Sequence, residues 1–163
     1  MAITKGKKVE ILTKLEKIVA DASTLVFVGF KGLSVSDTTK MRRTLREKGV
    51  GYVVAKKTLM KRAFDGRAYT GTLPDMPGEV ALAYSTDEMA PAQGVREFEK
   101  QFKEKLAILG GVFAHEYKTK AEMTEIASIP ALPVLRGMFA QLINSPRQRF
   151  AVVLSKVSET KTN

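Results

Sequence analysis

VGYVVAKKTLMKRAF, Val50–Phe64, changes its period midway, and that change decides how the chain is read. Val50 to Ala55 is apolar and largely β-branched, which makes a strand. Beyond it, Leu59, Met60, Ala63 and Phe64 fall on one side of a wheel stepped at roughly 100° per residue. Lys57, Thr58, Lys61 and Arg62 fall on the other. A strand therefore runs into a helix whose start carries Lys56 and Lys57. Cations there oppose the helix dipole, because unpaired backbone N–H groups already make that end electropositive. An anion from outside the chain relieves the conflict, and phosphate suits it by accepting from N–H donors and fixed cations together. The competing reading is an ordinary solvated face with like charges near its start.

Three further strands lie outward from this junction: TLVFVGF (Thr24–Phe30), EVALAYS (Glu79–Ser85) and LAILGGVF (Leu106–Phe113). The first is apolar almost throughout, as a central strand is. Gly110-Gly111 predicts a bulge or bend in the last. Ser34 and Asp37 have capping-box spacing and open a helix that turns Met41 and Leu45 inward and closes at Gly49. A helix capped near Thr86 carries Val95, Phe98 and Phe102 on one face, with Pro91 in its first turn. Gly66, Gly71, Pro74, Pro77 and Gly78 make residues 65–78 a loop. Thr119 and Glu122 cap a short helix ending near Ala127. From Lys7 to Ala22, Val9, Ile11, Leu12, Leu15, Ile18 and Val19 recur at helical spacing.

The core order is strand–helix–strand twice over, the split βαβ pattern of ferredoxin-like domains. The expected class is α+β: a ferredoxin-like domain over residues 1–130 with an added N-terminal helix, then a helical tail over residues 131–163. That fold hosts many functions. The aromatic strand signature of RNA-recognition motifs is not evident, so base stacking on the sheet is not the expected mode.

After IPALP (Ile129–Pro133) two helical segments follow, separated at Asn144-Ser145-Pro146, with Ser145 as cap and Pro146 as first helical residue. Leu135, Met138, Phe139, Leu142 and Ile143 line one side of the first segment. Phe150, Val153, Leu154 and Val157 line one side of the second. FAQLIN at Phe139 returns as FAVVLS at Phe150, eleven residues on, nearly three whole turns, so both copies face the same way. Such a stripe packs within its own chain or enters a partner's groove; the proline-bounded linker and the repeat favour the groove.

Charge narrows the partner. Of 27 Lys and Arg, 15 lie at or before Arg62 against five acidic residues, while the rest of the 163-residue chain holds twelve of each. The whole excess of +10 thus sits in the first two-fifths, a footprint for a polyanion, either nucleic acid or an anionic membrane. Cysteine is absent, which excludes disulfides and thiolate metal sites and makes a reducing cytosol the default. The charged start is no signal peptide, and no apolar run reaches the roughly 18 residues of a membrane span. The tail lacks the Lys-rich polar face and Trp anchors of an interfacial helix, which disfavours a peripheral membrane protein. One histidine, His115, stands beside Glu116, without a nucleophile elbow, P-loop or ligand cluster, so a small ferredoxin-like hydrolase is the weakest alternative. Neither metal nor cofactor is expected.

VVAKKTLMKRA, with GFKGLSV, MRRTLREKGV, PGEVALAYS, GGVF and IASIPALPVLRGMFAQLINSPRQRFAVVL in the same order, resembles the large ribosomal subunit protein ten family over essentially the whole chain. The resemblance implies a non-enzymatic, cytoplasmic, ribosome-associated scaffold at the base of the large-subunit stalk. It implies an N-terminal domain on large-subunit ribosomal RNA, beside a neighbouring stalk-base ribosomal protein. It implies a C-terminal helix carrying dimers of the acidic stalk protein, which recruit translational GTPases, and in many bacteria repression through the leader messenger RNA. The family usually has Asn where this chain has Lys57, so an amide contact there gives way to a charged one. The expected RNA contacts are first Lys56, Lys57, Lys61 and Arg62, with Thr58 as a hydroxyl or cap. Lys7, Lys8, Lys31, Gly32, Arg42 and Arg43 come second, with plain solvation as their equal alternative. The two tail repeats imply two docking sites, hence two stalk-protein dimers.

Overall fold

Central to the fold is a strand with no solvent face. In the computed structural model, which describes residues 5–67, 69–102 and 105–162, Leu25 to Val28 are all buried, alternating between two cores. The elements are α1 (Lys5–Asp21), β1 (Thr24–Phe30), α2 (Val35–Glu47), β2 (Gly51–Val54), α3 (Lys57–Asp65), β3 (Glu79–Ser85), α4 (Ala90–Gln101), β4 (Leu106–Phe113), β5 (Glu116–Thr119), α5 (Lys120–Ser128) and α6 (Leu132–Thr162). The sheet runs β2-β3-β1-β4-β5, with every neighbouring pair antiparallel. β3 lies between β1 and β2, and β1 between β3 and β4, so each βαβ unit is split by a strand of the other, the ferredoxin-like arrangement.

Both sheet faces are covered. Val26, Val28, Ala81, Ala83 and Ile108 pack with Met41 and Leu45 of α2, Val95 and Phe98 of α4 and Met123 of α5. Leu25, Phe27, Val80, Leu82 and Val112 pack with Leu15 and Val19 of α1 and Leu59, Met60, Ala63 and Phe64 of α3. Phe27 and Phe64 meet edge to face at 5.2 Å, pinning α3 to the central strand. The second layer leaves no open sheet for bases to stack upon.

Local chemistry sets the boundaries. Ser34 caps α2 by accepting from the Asp37 N–H, and Gly49 follows that helix at φ +73°, the left-handed position glycine takes without strain. Thr119 donates through both its N–H and its hydroxyl to Glu122, capping α5 and holding that carboxyl below the usual carboxylate range. Gly110 and Gly111 do mark a bulge: Phe27 pairs with Gly110 but Val28 with Ile108, leaving Leu109 unpaired. A Cβ on Gly111 would stand 2.3 Å from the Leu25 carbonyl oxygen, so no larger residue fits there.

Four expectations need correction. The helix after β3 begins at Ala90, not near Thr86: Ser85 Oγ and Asp87 Oδ1 accept from Asp87 and Met89 N–H, and that turn occupies the residues before it. β5 was not foreseen; Glu116–Thr119 is too short and too polar to announce a strand, and pairs with β4 as an edge. Val9 is 60% exposed, because α1 packs through Leu15 and Val19 further along. The tail is not two helices. α6 is continuous through Pro146, which cannot donate to the Leu142 carbonyl, and its neighbours sustain the helix across that missing bond.

The chain forms two compact units, one through Ser128 and one from Ile129. In the second, Leu135, Met138, Phe139, Leu142, Ile143, Phe150, Val153, Leu154 and Val157 are all exposed, Leu142 at 69%. Among the described residues, no single helix is long and apolar enough to cross a membrane.

Candidate nucleic-acid interface and tail helix

The start of α3 is unneutralised. Lys56 is its N-cap, in extended conformation, without a side-chain cap and with no acidic residue in the first turn. The Lys56 carbonyl accepts from the Leu59 and Met60 N–H groups, so the helix closes without help from Thr58, whose exposed hydroxyl is not the cap. Leu59, Met60, Ala63 and Phe64 are buried, which turns Lys61 and Arg62 outward one turn beyond Lys57.

Three clefts meet at the sheet end where β1 and β2 finish and β3 begins. The first, about 600 Å³, is lined by Ile11, Lys14 and Ile18 of α1, by Val53 to Lys57, and by Leu59. The second, about 610 Å³, holds Lys31, Gly32 and Lys105. The third, about 370 Å³, holds Gly32, Thr38, Arg42 and Tyr52. Phe30 and Glu79, directly paired across β1 and β3, line all three. The structure thus draws Lys56, Lys57, Lys31, Gly32 and Arg42 to one end of the sheet, although they are scattered along the sequence.

Other candidates stand apart. Arg43 Nε sits 3.3 Å from Glu47 Oε1, one helical turn on, so its charge is already partly met. Lys7 and Lys8 are exposed in the early turns of α1 and line none of these clefts. Lys7 nevertheless lies seven residues before Lys14, on the same side of the helix. Among the described residues, Lys7, Lys8, Lys14, Lys31, Arg42, Lys56, Lys57, Lys61 and Arg62 make no ion pair within 4.0 Å.

Lys14, Lys105 and Glu79 escaped the sequence reading. Lys14 was legible, since it continues the Lys7 face of an amphipathic helix. Lys105 was not: its place follows from the strand pairing, in which the Lys31 N–H donates to the Lys105 carbonyl at 2.8 Å. Arg42 also carries a local task, its guanidinium lying 5.7 Å from the centre of the Tyr52 ring. Burial pushes the Tyr52 phenol up to about 12, while the Arg42 charge pulls it the other way. His115 is exposed, at φ +63° in the β4–β5 turn, with its ring stacked 6.2 Å from Tyr69. That turn position and stacking contact account for it without catalysis.

Two comparisons fit this geometry. The family model described as ribosomal protein L10 matches residues 3–103, which contain every RNA contact expected from the sequence, from Lys7 to Arg62, and end just short of Lys105. A large ribosomal subunit protein uL10 of Verminephrobacter eiseniae is 35% identical over 161 residues, covering 99% of this chain and 92% of that protein. The proteins of the same name from Delftia acidovorans and Leptothrix cholodnii are 33% and 34% identical, each across 99% of this chain and across 92% and 88% of their own lengths. Matches of that extent, over both compact units, establish that the chain belongs to the L10 family of large-subunit ribosomal proteins.

Proposed function

We propose that this chain forms the base of the large-subunit stalk, with residues 1–130 anchored on large-subunit ribosomal RNA and residues 131–163 carrying dimers of the acidic stalk protein. Family membership makes it a structural, ribosome-associated cytoplasmic protein rather than an enzyme. The observation that carries the finer reading is the cluster of unpaired cations at one sheet end. Lys14, Lys31, Arg42, Lys56 and Lys57 converge there from four parts of the chain without carboxylate partners among the described residues. Cations held by buried helices and a rigid sheet suit phosphate oxygens, which fix register on RNA rather than read its sequence. Lys61, Arg62 and Thr58 extend that contact along α3, and Lys7 and Lys8 along α1.

The tail acts differently. Nine of its exposed apolar residues, from Leu135 to Val157, lie on one stripe of α6, interrupted by Pro146 and by Arg149 between the two copies of the repeat. Two apolar stretches on one helix suit two helix-in-groove contacts, hence two dimers, which in turn recruit translational GTPases. A neighbouring stalk-base protein shares the RNA site, and the same RNA surface serves leader messenger RNA where translation is autoregulated.

The test is a chemical footprint of the full chain on large-subunit ribosomal RNA, beside a variant with Lys56, Lys57, Lys61 and Arg62 changed to Glu. Protection confined to one region, and lost in the variant, is the expected result. Unchanged protection in the variant would move the anchor to α1 or the Lys31 loop. No localised protection by the intact chain would sink the RNA reading.

A further inference from the structure

The first cleft is not only basic. Ile11, Ile18, Val53, Val54, Ala55 and Leu59 make most of its lining apolar, and Lys14, Lys56 and Lys57 line the same space. Phosphate contact alone has no use for a concavity of about 600 Å³ with aliphatic walls, since a phosphate is content on a flat charged surface. The volume lies within the range of small-molecule sites, which are mostly apolar with a few placed polar atoms, and is ample for a flat heteroaromatic group. Glu79 is the polar exception among the cations: an acceptor-only carboxylate, paired across the sheet with the aromatic Phe30. A carboxylate within a phosphate-binding cluster weakens that cluster unless it accepts from something. Nucleobase edges offer N–H donors, and unstacked bases of RNA are bound between apolar or aromatic side chains with their edges hydrogen-bonded.

We infer that this cleft receives one unstacked base of the bound RNA. The aliphatic walls and Phe30 take its faces, Glu79 accepts from an N–H on its edge, and Lys14, Lys56 and Lys57 hold the flanking phosphates. The inference rests on the RNA reading above and adds a sequence-reading element to an otherwise backbone-bound surface. A donor-rich edge suits Glu79: guanine offers two adjacent donors to a carboxylate, cytosine and adenine one amino group, and uracil a single ring N–H.

The test uses the full chain and large-subunit ribosomal RNA, probed at nucleotide resolution with both base-edge reagents and hydroxyl radicals. Ala55→Leu fills the cleft without altering charge. The expected result is about tenfold weaker binding, the scale of one lost base contact. The salt slope should stay unchanged, because the phosphate contacts remain. One base edge protected by the parent chain should become reactive while the backbone protection persists. If Ala55→Leu lowers the unfolding temperature, Ile11→Gln on the α1 wall replaces it, making the wall polar at a part-exposed helical site. Glu79→Gln supplies the second arm. Removing a negative charge strengthens a purely electrostatic site, whereas here binding should weaken several-fold. Parent-like affinity and base protection in the folded cleft variant, or tighter binding by Glu79→Gln, would overturn the inference and leave the phosphate-anchoring reading intact. Absence of backbone protection with the parent chain would instead defeat the RNA reading itself.

Discussion

α3 and α6 are both amphipathic, and they expose opposite sides. α3 buries Leu59, Met60, Ala63 and Phe64 against the sheet and turns its cations outward. α6 leaves Phe139, Leu142, Ile143 and Phe150 each more than 60% exposed. The side a helix leaves uncovered indicates the chemistry of what completes it. On the reading proposed above, that is an anion for α3, whose apolar side is already satisfied. On the same reading it is an apolar groove for α6, whose exposed stripe still holds in reserve the burial free energy that α3 has already gained, about 25 cal/mol per Å² of apolar surface. Helical periodicity alone does not separate the two cases; the burial of each face does.

Truncating one phenylalanine in each helix should break the symmetry of that pattern most sharply. Phe64 is 2% exposed and touches Phe27, Tyr69 and Tyr117 with ring centroids 5.2 to 6.4 Å apart. Phe64→Ala should cost about 3–5 kcal/mol in denaturant unfolding. Phe139→Ala, at a site 65% exposed, should change the same measurement by less than about 0.5 kcal/mol. It should instead weaken capture of the acidic stalk protein tenfold or more. A large loss of stability in the tail variant would mean that its stripe is core after all.

Pro146→Ala is next in size. A proline inside a helix costs about 3 kcal/mol relative to alanine, so the change should slow amide exchange across the middle of α6. Unfolding of the unit through Ser128 should not move. Exchange as fast as before would indicate that the helix is already interrupted there, as the sequence alone predicted.

Lys57→Asn introduces the amide that the family resemblance implies at this position and tests α3 more finely. Loss of one phosphate contact should make the salt dependence of RNA binding shallower by about one in slope, with the footprint retained. An unchanged slope would assign Lys57 to solvent.

What could be read without the structure divides along the same line. Contiguous patterns were legible: TLVFVGF as a central strand, Ser34 and Gly49 as helix limits, Gly110-Gly111 as a bulge, and the split βαβ order. Each depends on backbone preferences that a few neighbouring residues decide. Features set by distant pairing were not legible. β5 exists because β4 offers it an edge, and Lys105 joins the basic cluster because β4 lies beside β1. The tail proline misled because Asn144-Ser145-Pro146 is a good helix start in isolation, and nothing local records that the helix is already under way. For the candidate site, the cations on α3 were plain in the sequence, whereas the cleft beside them is made by α1, β2 and β3 together.

The smallest effect concerns the cation with two possible tasks. Arg42 lies over Tyr52 and also lines the third cleft, so it can serve the fold, the RNA or both. The Tyr52 phenol is raised from 10.0 to about 12 by burial, with Arg42 acting in the opposite direction. In the unfolded chain the proton leaves near pH 10, while the folded chain keeps it to about 12. Stability from this group is therefore intact below pH 10 and is lost as pH rises toward 12. Tyr52→Phe should remove the Tyr52 share of that alkaline loss and leave the smaller share of Tyr69 and Tyr117, whose phenols burial also raises. Arg42→Met should move the phenolate absorbance of Tyr52 to still higher pH, since burial would then act unopposed. If Arg42→Met leaves that titration where it was, the guanidinium spends its time away from the ring, and its exposed charge is free for phosphate.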